Sequence, residues 1–132
     1  MDPKTAQELV DQAISAREKA YAPYSKFQVG AAILTKDGKT YQGCNIENAS
    51  YGATICAERA AVCNMIANGG TDPIAIAICY NAEEFAVPCG ICRQVLSEFS
   101  PKGDLTILMA KTDGTYRETT LSALLPASFK LN

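Results

Sequence analysis

The sequence contains no histidine, and this absence excludes several kinds of enzyme at once. A Ser-His-Asp triad, a Cys-His protease pair and a histidine-ligated metal all need an imidazole ring. Any catalysis by this chain must therefore use cysteine, carboxylate, lysine, arginine or tyrosine side chains.

Long apolar runs and basic runs are missing as well. The N-terminal residues are charged and polar, which argues against a signal peptide, and the apolar stretch 73–82 is too short to span a membrane. The 12 Lys+Arg against 14 Asp+Glu give a net charge of −2, which argues against a nucleic-acid partner. We expect a soluble, cytoplasmic protein with no membrane partner. In that compartment the six cysteines favour a metal site or catalysis over disulfides.

The chain length of 132 residues and the hydrophobic fraction of 48% are typical of one globular domain, so we expect a single domain over residues 1–132. Hydrophobic periodicity and turn residues predict helix 4–20, strands 29–35 and 40–44, helix 56–68, strand 74–80, helix 90–99, strands 105–110 and 115–119, and a helical turn at 121–124. This order predicts an α/β fold, a three-layer α-β-α sandwich around a mixed five-stranded sheet. Only residues 111–114 separate the last two strands, too few for a parallel crossover, so this pair must be antiparallel.

Two short segments carry residues suited to a metal site. Cys56 and Glu58 stand at the start of the second predicted helix, and Cys89 and Cys92 at the start of the third. The i, i+3 spacing lets Cys89 and Cys92 face one point. Cys56 and Glu58 lie about 200° apart around a helix axis, yet both can approach a point beyond the helix N-terminus. Three thiolates leave one position of a zinc ion open, as in catalytic sites, and Glu58 remains free to move protons.

The charge of such a site predicts a task for Arg59. Three thiolates and Zn²⁺ carry about one net negative charge, which would weaken the metal as a Lewis acid. Two helix N-termini, each equivalent to about half a positive charge, and a nearby guanidinium would offset it. We expect Arg59, next to Glu58 in the sequence, to supply that guanidinium.

The two segments together resemble the zinc-dependent cytidine deaminases of the small homotetrameric type. Residues 56–59 read Cys-Ala-Glu-Arg and residues 88–94 read Pro-Cys-Gly-Ile-Cys-Arg-Gln, the nucleobase deaminase motif with cysteine as its first ligand. The similarity continues over residues 22–32, 43–49 and 124–126. It implies the cytidine deaminase-like fold, with one Zn²⁺ per chain.

The resemblance also implies a reaction and a set of site residues. The reaction is hydrolytic deamination of cytidine and 2′-deoxycytidine to the uridines plus ammonia, within pyrimidine salvage, by a homotetramer with active sites shared between subunits. Glu58 is the implied catalytic residue, and Cys56, Cys89 and Cys92 are the implied zinc ligands. The implied substrate-binding residues are Phe27, Asn45, Glu47, Tyr51, Ala57 and Phe129, with Arg59 and Gln94 supporting the site.

Spacing alone favours part of this assignment. Asn45 and Glu47 stand at i and i+2 in an extended segment, so their side chains project to one side, and an amide beside a carboxylate suits sugar hydroxyls. The resemblance adds that Phe129 stacks on the pyrimidine in a neighbouring subunit and that Tyr51 lies near a neighbouring active site.

Other functions stay open on the sequence. Cys89 and Cys92 could form a redox pair or half of a structural zinc site in a protein without catalysis. A nucleic-acid-editing deaminase is disfavoured by the acidic charge and the antiparallel last strand pair. A deaminase of a modified cytosine nucleoside such as blasticidin S is the alternative enzyme. Arg93 and Gln94 could brace the third helix. The remaining cysteines are expected to be small core residues: Cys44, Cys63 and Cys79.

Overall fold

The computed structural model describes residues 1–131, in which helices cover both faces of a five-stranded sheet. The elements are α1 (Pro3–Arg17), β1 (Gly30–Thr35), β2 (Thr40–Cys44), a 3₁₀ turn (Tyr51–Ala53), α2 (Ala57–Ala67), β3 (Pro73–Cys79), α3 (Gly90–Glu98), β4 (Thr106–Ala110), β5 (Tyr116–Thr120) and α4 (Leu121–Leu124). No helix formed by residues 1–131 has the length and apolar character needed to cross a membrane.

The sheet is mixed, as predicted. Its strand order is β2-β1-β3-β4-β5, with β1 antiparallel to both β2 and β3. β3 and β4 are parallel, because α3 carries the chain from the end of one to the start of the other. β4 and β5 are antiparallel, which confirms the inference from their short connection. The carboxyl ends of β3 and β4 therefore meet at one edge, where α/β sheets place their ligands.

The two faces of β3 are buried under different helices. Ala75, Ala77 and Cys79 belong to the apolar cluster under α1, whereas Ile76 and Ile78 belong to the cluster under α2 and α3. Such burial on both sides explains why this strand is apolar at nearly every position. The prediction of a central strand covered by helices is confirmed.

The predicted first helix extends too far. α1 ends at Arg17 and not at residue 20. The backbone N–H of Tyr21 donates to the carbonyl of Asn45 at 3.0 Å, and Tyr21 bridges to Ile46. The chain must leave the helix before Tyr21 to make this pairing, a tertiary contact that helical periodicity does not contain.

The expectation that Cys63 is a core residue is wrong. The buried face of α2 is formed by Ala57, Glu58, Ala61, Val62 and Met65. Cys63 is exposed. Although it stands between the buried residues Val62 and Met65 in the sequence, the rotation of about 100° per residue turns it to the solvent side of the helix. Cys79 is fully buried, as expected, and Cys44 is half-buried.

A close backbone contact sets the position of α2 on the sheet. A Cβ atom on Gly43 in β2 would lie 2.3 Å from the backbone nitrogen of Ala61 and 2.5 Å from the carbonyl oxygen of Ala57. Only glycine allows such an approach. The first turn of α2, which carries Glu58, therefore lies directly against the sheet.

Candidate metal centre and active site

Three cysteine sulfurs meet where α2 and α3 begin. Cys56 immediately precedes α2, Cys89 immediately precedes α3, and Cys92 lies in the first turn of α3. Their sulfur atoms all lie within 4.8 Å of one another, and the Cys56 and Cys89 sulfurs are 3.8 Å apart. The cluster thus brings together residues from two elements that are separated by β3 in the chain.

Cys56 and Cys89 hold the cap positions of their helices without acting as caps. Both have extended backbone conformations, and neither side chain makes a capping hydrogen bond within the described residues. A serine or aspartate at this position would spend its oxygen on the helix N–H groups. The cysteine sulfurs instead point to each other, in the positive potential of two helix N-termini.

The cluster fits zinc. Cysteine thiolates are preferred zinc ligands, and two sulfurs on a tetrahedral zinc ion with bonds of about 2.3 Å stand about 3.8 Å apart. The Cys56–Cys89 separation of 3.8 Å matches this value. Three ligands also leave the fourth position of the ion available, the pattern of catalytic zinc.

Arg59 lies against the cluster, where the charge argument expects a cation. Its Nη2 donates to the sulfur of Cys56 and to the carbonyl of Thr54, both at 3.5 Å. Its Nε is buried and has no hydrogen-bond partner among the described residues. A buried guanidinium N–H without a partner is costly, so the position serves something other than the stability of the chain alone.

Glu58 is the buried carboxylate beside the cluster. Glu58 is 4% exposed, and the group of side chains within residues 1–131 that could hold a metal ion consists of the three cysteines without it. Burial, together with the nearby charge of Cys56, raises the pKa of Glu58 to about 7, against the opposing effects of its backbone hydrogen bond, Cys92 and Arg59. Such a group holds and releases a proton near neutral pH.

The sulfurs share their protons unevenly when no metal is present. A hydrogen bond from Cys92, followed by that from Arg59, lowers the pKa of Cys56 to about 5. The pKa of Cys92 is raised, because its thiol donates to Cys56 and because it is buried. Cys56 is therefore the thiolate from which a metal site can assemble.

A cavity of about 240 Å³, here called the inner cavity, opens beside Glu58. Apolar side chains of Val29, Ile78 and Phe27 line it, together with Ala57. Cys56, Cys89 and Asn45 line it as well. A small, mainly apolar space with a few polar groups beside a metal cluster suits a flat heteroaromatic ring.

Asn45 and Glu47 both contact the segment 24–29, not an open space between them. The amide of Asn45 donates to the carbonyl of Phe27 at 2.7 Å and accepts from the N–H of Val29 at 2.8 Å. The carboxylate of Glu47 accepts from the N–H groups of Tyr24 and Ser25, at 2.9 and 3.1 Å, and from the Ser25 hydroxyl. The i, i+2 spacing does bring both side chains to one segment, but their first partners are protein groups.

A larger space of about 670 Å³, here called the outer groove, lies on the other side of Cys56. Glu47, Tyr51, Arg59 and Ile91 line it, and Thr54 and Cys56 line both this groove and the inner cavity. Tyr51 is 92% exposed. The structure therefore places Asn45 and Glu47 in neighbouring spaces that meet at Cys56.

The C-terminal residues contact α3. Phe129 is 69% exposed and, within the described part of the chain, lines neither the inner cavity nor the outer groove. Gln94 donates to the carbonyl of Phe129 at 3.1 Å. Arg93 donates to the carbonyls of Pro88 and Leu124, each at 2.8 Å, and thereby ties the start of α3 to the end of α4.

Comparison with known proteins identifies the family. The sequence model of the cytidine and deoxycytidylate deaminase zinc-binding region matches residues 3–108. The chain belongs to this family. The cysteine cluster is accordingly a zinc site, positioned to bind one metal ion.

Individual members of the deaminase family match most of the chain. The cytidine deaminase of Halalkalibacterium halodurans is 49% identical over 123 residues, covering 93% of this chain and 92% of the relative. The crystal structure of cytidine deaminase from Burkholderia pseudomallei has a TM-score of 0.87 at 46% identity, covering 92% of this chain and 97% of that one. The cytidine deaminase from Mycobacterium tuberculosis gives a TM-score of 0.81 at 42% identity, covering 94% and 96%. These likenesses confirm the predicted cytidine deaminase-like fold.

Sequence reasoning did not single out Tyr80 and Val87, which also line the inner cavity of this deaminase-family chain. Tyr80 directly follows β3, at the sheet edge where the helices that carry the cluster begin. Its place after the central parallel strand was a usable signal, since side chains there face the ligand edge. Val87 offered no such signal, because its position depends on the path of the loop before Pro88.

Proposed function

We propose that this chain catalyses the hydrolytic deamination of cytidine and 2′-deoxycytidine to uridine and 2′-deoxyuridine plus ammonia. The observation that carries the proposal is the three-sulfur cluster with one position left for water, and with a buried carboxylate beside it that is not a ligand. The relatives named above are cytidine deaminases, which favours this substrate over a modified cytosine nucleoside or a nucleic acid.

In this mechanism the protein's own groups position the nucleoside and move protons. Cys56, Cys89 and Cys92 hold one zinc ion, which when bound supplies the Lewis acidity that makes water nucleophilic near neutral pH. Glu58 takes a proton from water as the water oxygen bonds to C4, and gives this proton to ring N3. It then takes the proton of the new C4 hydroxyl and passes it to the amino group as the C4–N bond breaks and ammonia leaves. One residue thus acts first as a base and then as an acid.

The inner cavity receives the pyrimidine ring, and the sugar lies at its junction with the outer groove. Phe27 and Ala57, which line this cavity, would contact the base. Asn45 keeps one N–H and one lone pair free after its two bonds to the chain, and Glu47 keeps acceptor capacity after its three. Both can therefore bind ribose hydroxyls while they hold the segment 24–29.

Further parts of the proposal concern assembly and location. We propose a homotetramer in which Phe129 of one copy stacks on the pyrimidine in another, and in which Tyr51 lies near a neighbouring site. The exposure of both aromatic rings supports this, as does the absence of Phe129 from the cavities of its own chain over residues 1–131. The single domain spans residues 1–132, and the six free thiols favour the cytoplasm.

The experiment combines a zinc count with an absorbance assay on four substrates: cytidine, 2′-deoxycytidine, adenosine and an oligonucleotide containing cytosine. We expect one zinc per chain and turnover of the first two substrates only. Glu58→Ala should keep its zinc and lose turnover by about 10²-fold or more. Full activity in Glu58→Ala would contradict the mechanism, and turnover of the oligonucleotide alone would contradict the substrate.

A further inference from the structure

Tyr80 lies between the inner cavity and the loop that leads to a zinc ligand, and the mechanism above gives it no task. It directly follows β3 and lines the inner cavity together with Phe27 and Glu58. The rings of Tyr80 and Phe27 are in contact, with centroids 5.2 Å apart and planes inclined by 44°. Tyr80 is therefore part of the surface against which Phe27 packs.

The hydroxyl of Tyr80 binds the loop of residues 81–87 from the inside. It accepts a hydrogen bond from the backbone N–H of Val87 at 3.1 Å and donates one to the carbonyl of Phe85 at 3.4 Å. The carbonyl of Tyr80 itself accepts from Nε of Arg17 at 2.5 Å. One side chain thus bridges a fixed strand end and the far end of the loop.

The same loop is held from the outside by a second set of contacts. Two cationic side chains lie over the ring of Phe85: Nζ of Lys111 is 4.3 Å and Cζ of Arg117 is 4.5 Å from its centroid. Cation–π contacts at this distance are favourable. The N–H of Ala86 donates to the carbonyl of Ala110 at 3.3 Å. Residues 85–87 are therefore fixed between the strand edge and the Tyr80 hydroxyl.

Val87 connects this anchor to the site. It lines the inner cavity, and only Pro88 separates it from Cys89. Proline restricts the backbone of the residue before it and of itself, so a shift at Val87 is passed on to Cys89. The position of one ligand and of one cavity wall thus depends on residues 85–87.

We propose that Tyr80 is a positioning residue, whose hydroxyl holds residues 85–87 so that Cys89 faces the other two sulfurs and Val87 closes the cavity. Its ring holds Phe27 at the opposite wall. The proposal rests on the proposed function only for its effect on substrate binding. Glu58 lies on α2, and no hydrogen bond joins its side chain to Tyr80 within residues 1–131, so we expect the effect on zinc and substrate binding and not on the chemical step.

The test removes the hydroxyl and keeps the ring. In Tyr80→Phe, hydrogen exchange at the Val87 amide should become faster, because its acceptor is lost. Zinc release to a chelator should become about three- to tenfold faster, the effect expected for one hydrogen bond. KM for cytidine should rise by about the same factor, with kcat within about twofold of the unchanged enzyme.

Tyr41→Phe is the matched control. Tyr41 lies in β2, and its ring is near Met65 and Gly70 at the C-terminal end of α2, away from the cysteine cluster. Faster Val87 exchange together with a change in zinc release or KM, seen in Tyr80→Phe but not in Tyr41→Phe, supports the proposal. Unchanged exchange overturns it. Faster exchange with unchanged zinc release and KM also overturns it, because the loop then moves without effect on the site. Exchange and zinc release need no turnover, so they decide the role of Tyr80 even if cytidine is not the substrate.

Discussion

Arg59 is the side chain that compensates the negative charge of the cysteine cluster. Its guanidinium donates to the sulfur of Cys56, and its buried Nε has no other partner in the described chain. Three thiolates around Zn²⁺ need a compensating cation for the metal to remain a good Lewis acid. Within residues 1–131, Arg59 is the cationic side chain that hydrogen-bonds to a sulfur of the cluster, and it adds to the positive potential of the two helix N-termini.

Arg59→Gln should therefore weaken both activity and metal retention. A hydrogen bond to a charged group contributes about 1.5–3 kcal/mol, so kcat/KM should fall about ten- to a hundredfold. Zinc should also leave faster to a chelator, because the thiolates lose their counter-charge. Arg59→Lys keeps the positive charge but not the planar guanidinium, so its kcat/KM and its rate of zinc release should lie between those of Arg59→Gln and the unchanged protein. Equal kinetics and zinc release in Arg59→Gln and the unchanged protein would contradict the charge argument.

Residues of the site differ in how far the sequence could predict them. The zinc ligands could be predicted, because cysteines at the first positions of two helices define the cluster by local geometry. The partners of Asn45 and Glu47 could not, since both side chains bind the segment 24–29 across a loop of the fold. Cys63 was wrongly expected in the core, because an apolar run hides which face of α2 turns inward.

Among the elements, α2 depends on glycine for its place on the sheet. A Cβ on Gly43 would overlap the backbone of Ala57 and Ala61, and a backbone cannot rotate away as a side chain can. Gly43→Ala should push α2 off β2 and destabilise the protein. Because α2 carries Cys56 and Glu58, kcat/KM and zinc retention should fall as well, even at temperatures where the protein remains folded.

Gly30→Ala is the matched comparison for this prediction. A Cβ on Gly30 would lie 2.0 Å from the carbonyl oxygen of Ala13, so the same substitution displaces α1 on the opposite face of the sheet. We expect similar losses of unfolding free energy in both variants, measured with urea, but a loss of zinc retention only in Gly43→Ala. Equal zinc retention in the two folded variants would show that α2 does not set the site geometry.

Two hairpin turns link the fold to pH through their aspartates. The Thr35 hydroxyl and then the Lys39 N–H lower the pKa of Asp37 between β1 and β2. The Thr115 hydroxyl and then its N–H lower the pKa of Asp113 between β4 and β5. A lowered pKa in the folded state means that ionisation favours folding. This contribution is complete above the unfolded pKa of about 3.9 and is lost as pH falls through the folded values.

The measurement compares urea unfolding of the unchanged protein with Asp37→Asn and Asp113→Asn, near pH 6 and near pH 3. The unchanged protein should be the more stable near pH 6, and its advantage should shrink in acid. Zinc loss in acid affects all three proteins and cancels in the difference. An advantage that stays constant with pH would show that the charge of these aspartates does not matter.

At the scale of the whole molecule, one chain contains the cysteine cluster and Glu58, but the space beside them is open to solvent. The cluster, Glu58 and the inner cavity come from one copy, whereas the outer groove beside them is wide and bordered by the exposed Tyr51. The sequence predicted the sheet and its last antiparallel pair, because connection length limits topology. Assembly follows from complementary surfaces, which strand and helix patterns along one chain do not encode.

A shared site predicts that two defective chains can repair each other. Phe129→Ala should raise KM for cytidine but keep Glu58, and Glu58→Ala should keep Phe129 but lose turnover. When both chains are produced together with different tags, mixed assemblies contain sites where Glu58 of one copy meets Phe129 of another. At cytidine concentrations below KM, their activity per Glu58-containing chain should exceed that of pure Phe129→Ala.

Zinc content is the control for this experiment, because neither substitution removes a ligand and every assembly should bind one zinc per chain. Sedimentation of the doubly purified material shows that both chains are present in one particle. If the mixed assemblies are no more active per Glu58-containing chain than Phe129→Ala alone, then each copy completes its own site. In that case Phe129 acts within its chain, through the contact of its carbonyl with Gln94, and the exposed ring serves no neighbour.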